Sequence, residues 1–204
     1  MNHLKGTLIK LLKLTLKTVF ILLLVIIVIG LLLPQHYQAQ KSVTIEADRK
    51  AISSLISDFN HWKKWSPWHK VDPTIKFTLG EPNSGLGAHQ TWQSQWGFGE
   101  MTITTISENK ISFNILFNQD HIINATITQQ ANGAAVDVIC HVEGQANTPF
   151  LSGYMALLSE YVLTNTITLG LNNIKTVAQL EHEKQKQNPP EDPMQPAITQ
   201  VNSL

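Results

Sequence analysis

His141 and Glu143 lie two residues apart in an alternating segment, so on a strand both project from one face. An imidazole beside a carboxylate could bind a metal or pass a proton. That face also carries Asp137, while Val138, Cys140 and Val142 occupy the other, which places the pair on the solvent side. A metal site needs further converging ligands, and none is visible; His61, His69 and His89 lack ligand spacing too. No metal or other cofactor is expected. His121 has better surroundings. It shares parity with Ile123, Ala125 and Ile127, which turns it inward at a strand end. With Tyr154 and Tyr161 it could offer polar contacts or a general acid to a bound carbonyl compound.

The five tryptophans, Trp62, Trp65, Trp68, Trp92 and Trp96, form the most pointed constellation. Ligand pockets are concave and mostly apolar, so some of these rings could line one. Trp62 and Trp65, three apart, read better as a plug between helix and sheet, each ring burying roughly 150–250 Å². Trp92 is in step with Ala88 and Gln90 and is expected to line the concave face. The ligand-binding candidates are therefore Trp92, Phe113 and His121 on the sheet, with Tyr154, Leu158 and Tyr161 on a covering helix. Cys140, the only cysteine, reads as a buried apolar residue and excludes an intramolecular disulfide. Gly85-x-Gly87 and Gly97-x-Gly99 do not join a strand to a helix start, so they read as turns or bulges rather than phosphate loops.

These residues need elements to hold them. Residues 41–46 alternate as a first strand, and Asp48 caps a helix carrying Ile52, Leu55, Ile56 and Phe59 at helical spacing. After the tryptophan connector, residues 60–72, come rows of strand alternation: Ile75, Phe77 and Leu79; Met101 and Ile103; Ile111, Phe113, Ile115 and Phe117; Ile123, Ala125 and Ile127. Asn132-Gly133 is a hairpin turn before a last inward row of Val136, Val138, Cys140 and Val142. One face apolar and one polar, repeated this often, means an antiparallel sheet covered on one side. The cover is a helix from Pro149, capped by Thr148, to about Glu183. Its expected sheet-facing stripe is Leu151, Tyr154, Leu158, Tyr161, Val162 and Leu169.

The start of the chain is of a different kind. Residues 14–33 give about twenty helical residues at 1.5 Å each, enough for a bilayer core of roughly 30 Å. Some fifteen Leu, Ile, Val and Phe side chains sum to roughly −5 to −9 kcal/mol of insertion free energy, against at most about 3 kcal/mol for Lys17. Lys5, Lys10, Lys13 and Lys17 precede the run and only Lys41 follows closely, so the amino terminus is expected in the cytoplasm and the rest outside. Tyr37 and Ala39 make a poor cleavage site, which favours an uncleaved anchor over a signal peptide. The organisation expected is a basic cytoplasmic segment (1–13), an anchor (14–33), a domain (40–183) and a disordered proline-rich tail (184–204). With 15 basic and 15 acidic residues among 204, no broad charge recruits nucleic acid.

Four motifs carry a family resemblance: Phe59-x-x-Trp62-x-x-Trp65-Ser66-Pro67-Trp68, Gly85-Leu86-Gly87-Ala88 followed by Trp92, Gly97-x-Gly99-x-Met101-x-Ile103, and Gly170-Leu171-x-x-Ile174-Lys175. Over about residues 41–183 the chain resembles the SRPBCC (START-like) superfamily, in its polyketide cyclase/dehydrase and lipid transport branch, where an amino-terminal anchor is also familiar. The resemblance implies an α+β helix-grip fold, a curved antiparallel sheet wrapped on a long carboxy-terminal helix, here preceded by one transmembrane helix. It implies a monomer whose partners are the membrane and a hydrophobic small molecule or lipid, and it supplies no fixed catalytic set. The rival expectations are a cyclase-like enzyme using the same pocket and a domain packed solid that serves as an envelope or assembly factor.

Overall fold

The computed structural model describes residues 2–187. Helix α1 (Asn2–Leu32) runs unbroken through the lysine-flanked segment, and within it Ile9–Leu32 is long and apolar enough to cross a membrane. Its large side chains stand exposed, and none of them joins the hydrophobic core. Of the tail expected over 184–204, residues 184–187 are helical and the rest lies outside the described residues.

Strand β1 (His36–Ile45) follows within three residues, so the sheet begins five residues before the expected strand and four before the expected domain boundary. Asp48 then caps α2 (Arg49–Ser57), its carboxylate accepting from the Lys50 and Ala51 amides at 2.7 and 3.3 Å. Ile52, Leu55 and Ile56 bury the inner face of α2. The tryptophan connector folds as two short helices, α3 (Phe59–Trp65) and α4 (Trp68–Val71). Six more strands follow: β2 (Lys76–Leu79), β3 (His89–Ser94), β4 (Gly97–Ile106), β5 (Lys110–Phe117), β6 (His121–Asn132) and β7 (Ala135–Gln145).

All seven strands form one antiparallel sheet in the order β1-β7-β6-β5-β4-β3-β2. The consecutive hairpins β2 to β7 form a meander, and β1 closes beside β7. Ala88, Met101, Ile103, Ile111, Phe113, Ala125, Ile127, Val138 and Cys140 line the buried face, as alternation predicts. A bulge between Ile103 and Thr105 bends β4 where the sheet curves.

Helix α5 (Ser152–Gln187) lies in the grip of this sheet. It starts three residues later than expected, because Phe150 adopts a left-handed φ of +62° that breaks helical continuity after Pro149. Ser152 Oγ reaches back to the Thr148 carbonyl at 2.7 Å. The face expected to meet the sheet is also wrong. Ala156, Ile167, Leu171, Ile174 and Ala178 are buried, whereas Leu151, Leu158, Tyr161 and Val162 are exposed. Ala156 and Ala178 intersperse the larger Ile167, Leu171 and Ile174 on the buried face, and Gly170 lets the helix pass close to Pro67 and Trp65 of the connector. The architecture is the α+β helix-grip arrangement, with an apolar helix ahead of it.

Candidate functional site

Phe59, Trp62 and Trp65 repeat every three residues and so share one face of α3. The last four carbonyls of a helix lack intrahelical partners, and two of those in α2 are met by indoles. Trp62 Nε1 donates to the Ile56 carbonyl at 2.9 Å, and Trp65 Nε1 to the Leu55 carbonyl at 2.8 Å. The spacing of the two tryptophans thus fixes how α3 caps α2. Their rings pack at centroid distances of 4.7 Å from each other and 4.9 Å from Trp62 to Phe59. Asn173 of α5 donates to the Trp65 carbonyl at 2.8 Å, which ties the connector to the central helix.

One side of this platform stays open. Between α3 and strands β2 and β3 lies a cavity of about 190 Å³, walled by Phe59, Trp62, Phe77, Leu79 and Gln90. Asn60, Lys63, Ser66 and His69 complete the lining, and the His69 ring stands edge-on to Phe77 at 5.6 Å. Gln90 comes from the inward row of β3, between Ala88 and Trp92, and is only 2% exposed. Its Nε2 has no hydrogen-bond partner, and neither has the buried Ser66 Oγ. An unpaired buried polar group costs about 1–3 kcal/mol, and both atoms are closed to solvent, so a ligand oxygen would regain that cost only after the Gln90 or Ser66 side chain turns into the cavity. An apolar wall with two unsatisfied polar groups has the chemistry of a site for a small, mostly hydrophobic molecule.

None of the six candidates read from the sequence lines this cavity. Phe113 is 3% exposed in the core, with its ring 5.9 Å from Trp62. Trp92 is half-buried on the concave side and stacks on Phe117 at 6.5 Å, in the space that Gly99 leaves open by having no Cβ. His121 sits at the β5–β6 turn, 3.4 Å from the Asp120 carboxylate. Tyr154 turns to α1 and donates its hydroxyl to the Ile26 carbonyl at 2.9 Å. Leu158 and Tyr161 are 53% and 70% exposed. The buried face of α5 is centred on Ile167, Leu171 and Ile174 with Ala156 and Ala178, on the other side of the helix from Leu158 and Tyr161. Gln90 carried the missed signal: a polar residue in step with an apolar inward row.

The remaining reactive groups hold structural positions. Burial pushes the Cys140 thiol up to about 12, which keeps it protonated and unreactive. His141 and Glu143 share the convex face, their side chains 3.5 Å apart. The Asp72 carboxylate accepts from Thr74 Oγ1 at 2.6 Å and from the Thr74 amide at 2.9 Å. The Thr74 hydroxyl chiefly holds this carboxyl below the usual range, against the opposing effect of desolvation. Among the described residues no three His, Cys, Asp or Glu side chains gather as a metal would require.

No family model and no curated protein matches this sequence. Solved structures do match its fold. The protein CV1439 from Chromobacterium violaceum superposes with a TM-score of 0.54 at 11% identity, over 70% of this chain and 98% of that one. The solution structure of KanY gives 0.54 at 17% identity, over 71% and 98%. A norcoclaurine synthase mutant from Thalictrum, solved with a transition-state analogue, gives 0.54 at 13% identity, over 72% and 96%. At these identities the likeness is one of fold: the seven-stranded antiparallel sheet and long carboxy-terminal helix of the α+β helix-grip arrangement.

Proposed function

We propose that this protein is a membrane-tethered binding domain for a small hydrophobic molecule or lipid fragment, taken up between α3 and the β2–β3 edge of the sheet. The observation that carries the reading is an aromatic cavity lined by Gln90, a nearly buried glutamine whose Nε2 has no partner and needs only a side-chain rotation to donate to a ligand. A donor there favours ligands with a carbonyl, ether or hydroxyl oxygen on an apolar body. At about 190 Å³ the space is below the usual range of roughly 300–1,000 Å³ for drug-sized ligands, so the occupant is small or enters by one end. The fold it shares with a synthase that binds an analogue in its own structure supports a pocket here. No carboxylate lines the cavity, and the Ser66 hydroxyl there has no hydrogen-bonded base to activate it, which favours binding over turnover.

The tether is α1. The lysine asymmetry around it favours a cytoplasmic amino terminus and a domain outside, beside the bilayer in which apolar ligands concentrate. The test uses the full chain in phospholipid nanodiscs, titrated with acetonaphthone and, as the oxygen-free match, ethylnaphthalene. Both should quench tryptophan emission, the ketone with higher affinity than the hydrocarbon. Equal, unsaturable quenching by both, no greater than that of free indole in empty discs, overturns the reading.

A further inference from the structure

The large apolar side chains that begin α5 do not meet the sheet, and their relation to α1 says what they meet instead. Two glycines let the helices touch. A Cβ on Gly30 would lie 2.6 Å from the Phe150 carbonyl oxygen and 2.8 Å from the Tyr154 ring, and one on Gly153 would lie 2.7 Å from the Gly30 carbonyl and strike the Leu33 side chain. The Tyr154 hydroxyl then bonds the Ile26 carbonyl at 2.9 Å. These contacts fix the depth of α5 against α1. Ile26 lies six residues before Leu32, the end of the apolar stretch, or about 9 Å along the helix axis. The 24 residues of that stretch measure about 36 Å, roughly 6 Å more than a bilayer core. Even if all the excess projects on the side of the domain, Ile26 remains about 3 Å inside the hydrocarbon. Tyr154 must lie at that depth too.

The surface of α5 changes where this geometry requires. Leu151, just ahead of α5, and Leu157, Leu158, Tyr161 and Val162 in its first turns are large, exposed and on one arc, and at the next turns of that exposed surface stand Asn165, Thr168, Asn172 and Thr176. Glu160, the only charge from Ser152 to Val162, is two residues from Leu158 and therefore projects from the opposite side of the helix. An apolar arc beside tyrosines at the boundary, ending after three turns, is the pattern of a helix segment lying in a membrane interface. We infer that the first three turns of α5 are immersed in the outer interfacial layer of the bilayer that α1 spans. The occupant of the unpartnered face is lipid, and the domain is docked at one orientation instead of swinging on a leash. The inference rests on the reading of α1 as a span.

Site-directed spin labelling of the full chain, reconstituted in vesicles of phosphatidylcholine and phosphatidylglycerol, tests it. Leu22→Cys reports on the span, Leu158→Cys and Tyr161→Cys on the α5 arc, and Thr176→Cys on the polar continuation. Cys140 is buried, and the unsubstituted chain sets its labelling background. Labels at 22, 158 and 161 should collide with oxygen several-fold more than with a water-soluble nickel chelate, with the ratio reversed at 176. A lipid-like label at 22 with water-like labels at 158 and 161 overturns the docking and leaves the span intact. A water-like label at 22 overturns both. Labels at 158 and 161 shielded from both reagents and dipolar-broadened by one another mean that a second copy covers the arc, which also overturns the proposal.

Discussion

Gln90→Leu separates a residue kept for folding from one kept for a ligand. The substitution nearly preserves volume and removes the amide whose Nε2 has no partner at a position 2% exposed. An unsatisfied buried group is worth about 1–3 kcal/mol against folding, so the empty domain should become more stable by about that amount. For a domain of this size each kcal/mol moves Tm by about 2–4 °C, so a rise of several degrees is expected. The ketone should respond in the opposite sense. Losing one neutral hydrogen bond of about 0.5–1.5 kcal/mol weakens acetonaphthone binding roughly two- to twelvefold, while ethylnaphthalene binds as before or more tightly. The readouts are calorimetric Tm on a fragment of residues 34–187 and tryptophan quenching by both compounds. Neither hydrophobic cluster contains an α1 side chain, which is why the fragment suffices. A lower Tm together with unchanged ketone affinity would refute the argument, because the amide would then be serving the fold and the cavity would not be the site.

Three further outcomes follow from the same contacts. Trp65→Phe leaves the Leu55 carbonyl without its 2.8 Å donor at the end of α2 and should lower stability by about 1–3 kcal/mol in urea denaturation; a change near zero would mean that water replaces the indole. Asp72 has its carboxyl below the usual range in the folded state, so its contribution is present above the unfolded carboxyl pKa near 3.9 and is lost as pH falls through the folded value. Asp72→Asn should therefore melt below the wild type at neutral pH, and the gap should close in acid; a gap independent of pH contradicts this. Fragment 34–187 should unfold cooperatively, whereas a fragment of residues 40–187 loses the rungs from His36–Gln145 to Ala39–Val142 and the buried Tyr37, and should melt several degrees lower.

The strands were legible because a sheet covered on one side writes its burial into alternate residues. Ile111 and Phe113, Ala125 and Ile127, and Val136 to Val142 face inward as their parity requires. Asp48 was legible as a cap because the reason for its residue type is local. Beyond such local rules the signal thinned. The tryptophan motif announced a plug, but the space left beside it depends on how far β2 and β3 stand from α3, a tertiary distance that no spacing encodes. Gln90 was noticed only as a neighbour of Trp92, although a glutamine in an inward row is itself the anomaly to follow.

The misread face of α5 rests on a different physical point. Periodicity identifies an apolar stripe but not the medium that covers it, and a helix beside a membrane has two apolar media available. The domain core covers one apolar face, that of Ala156, Ile167, Leu171, Ile174 and Ala178. Leu151, Leu158, Tyr161 and Val162 remained on a surface that water would penalise by roughly 25 cal/mol for each Å² of apolar area. Such a face belongs in a soluble domain only if something removes it from water. With α1 spanning a bilayer as proposed, the Tyr154–Ile26 hydrogen bond and the Gly30–Gly153 contact hold it at the depth where lipid would do so. On the proposed docking the two apolar surfaces of one helix divide the work: the face of Ile167, Leu171 and Ile174 closes the domain, and the face of Leu158 and Tyr161 sets it against the lipid from which a ligand would come.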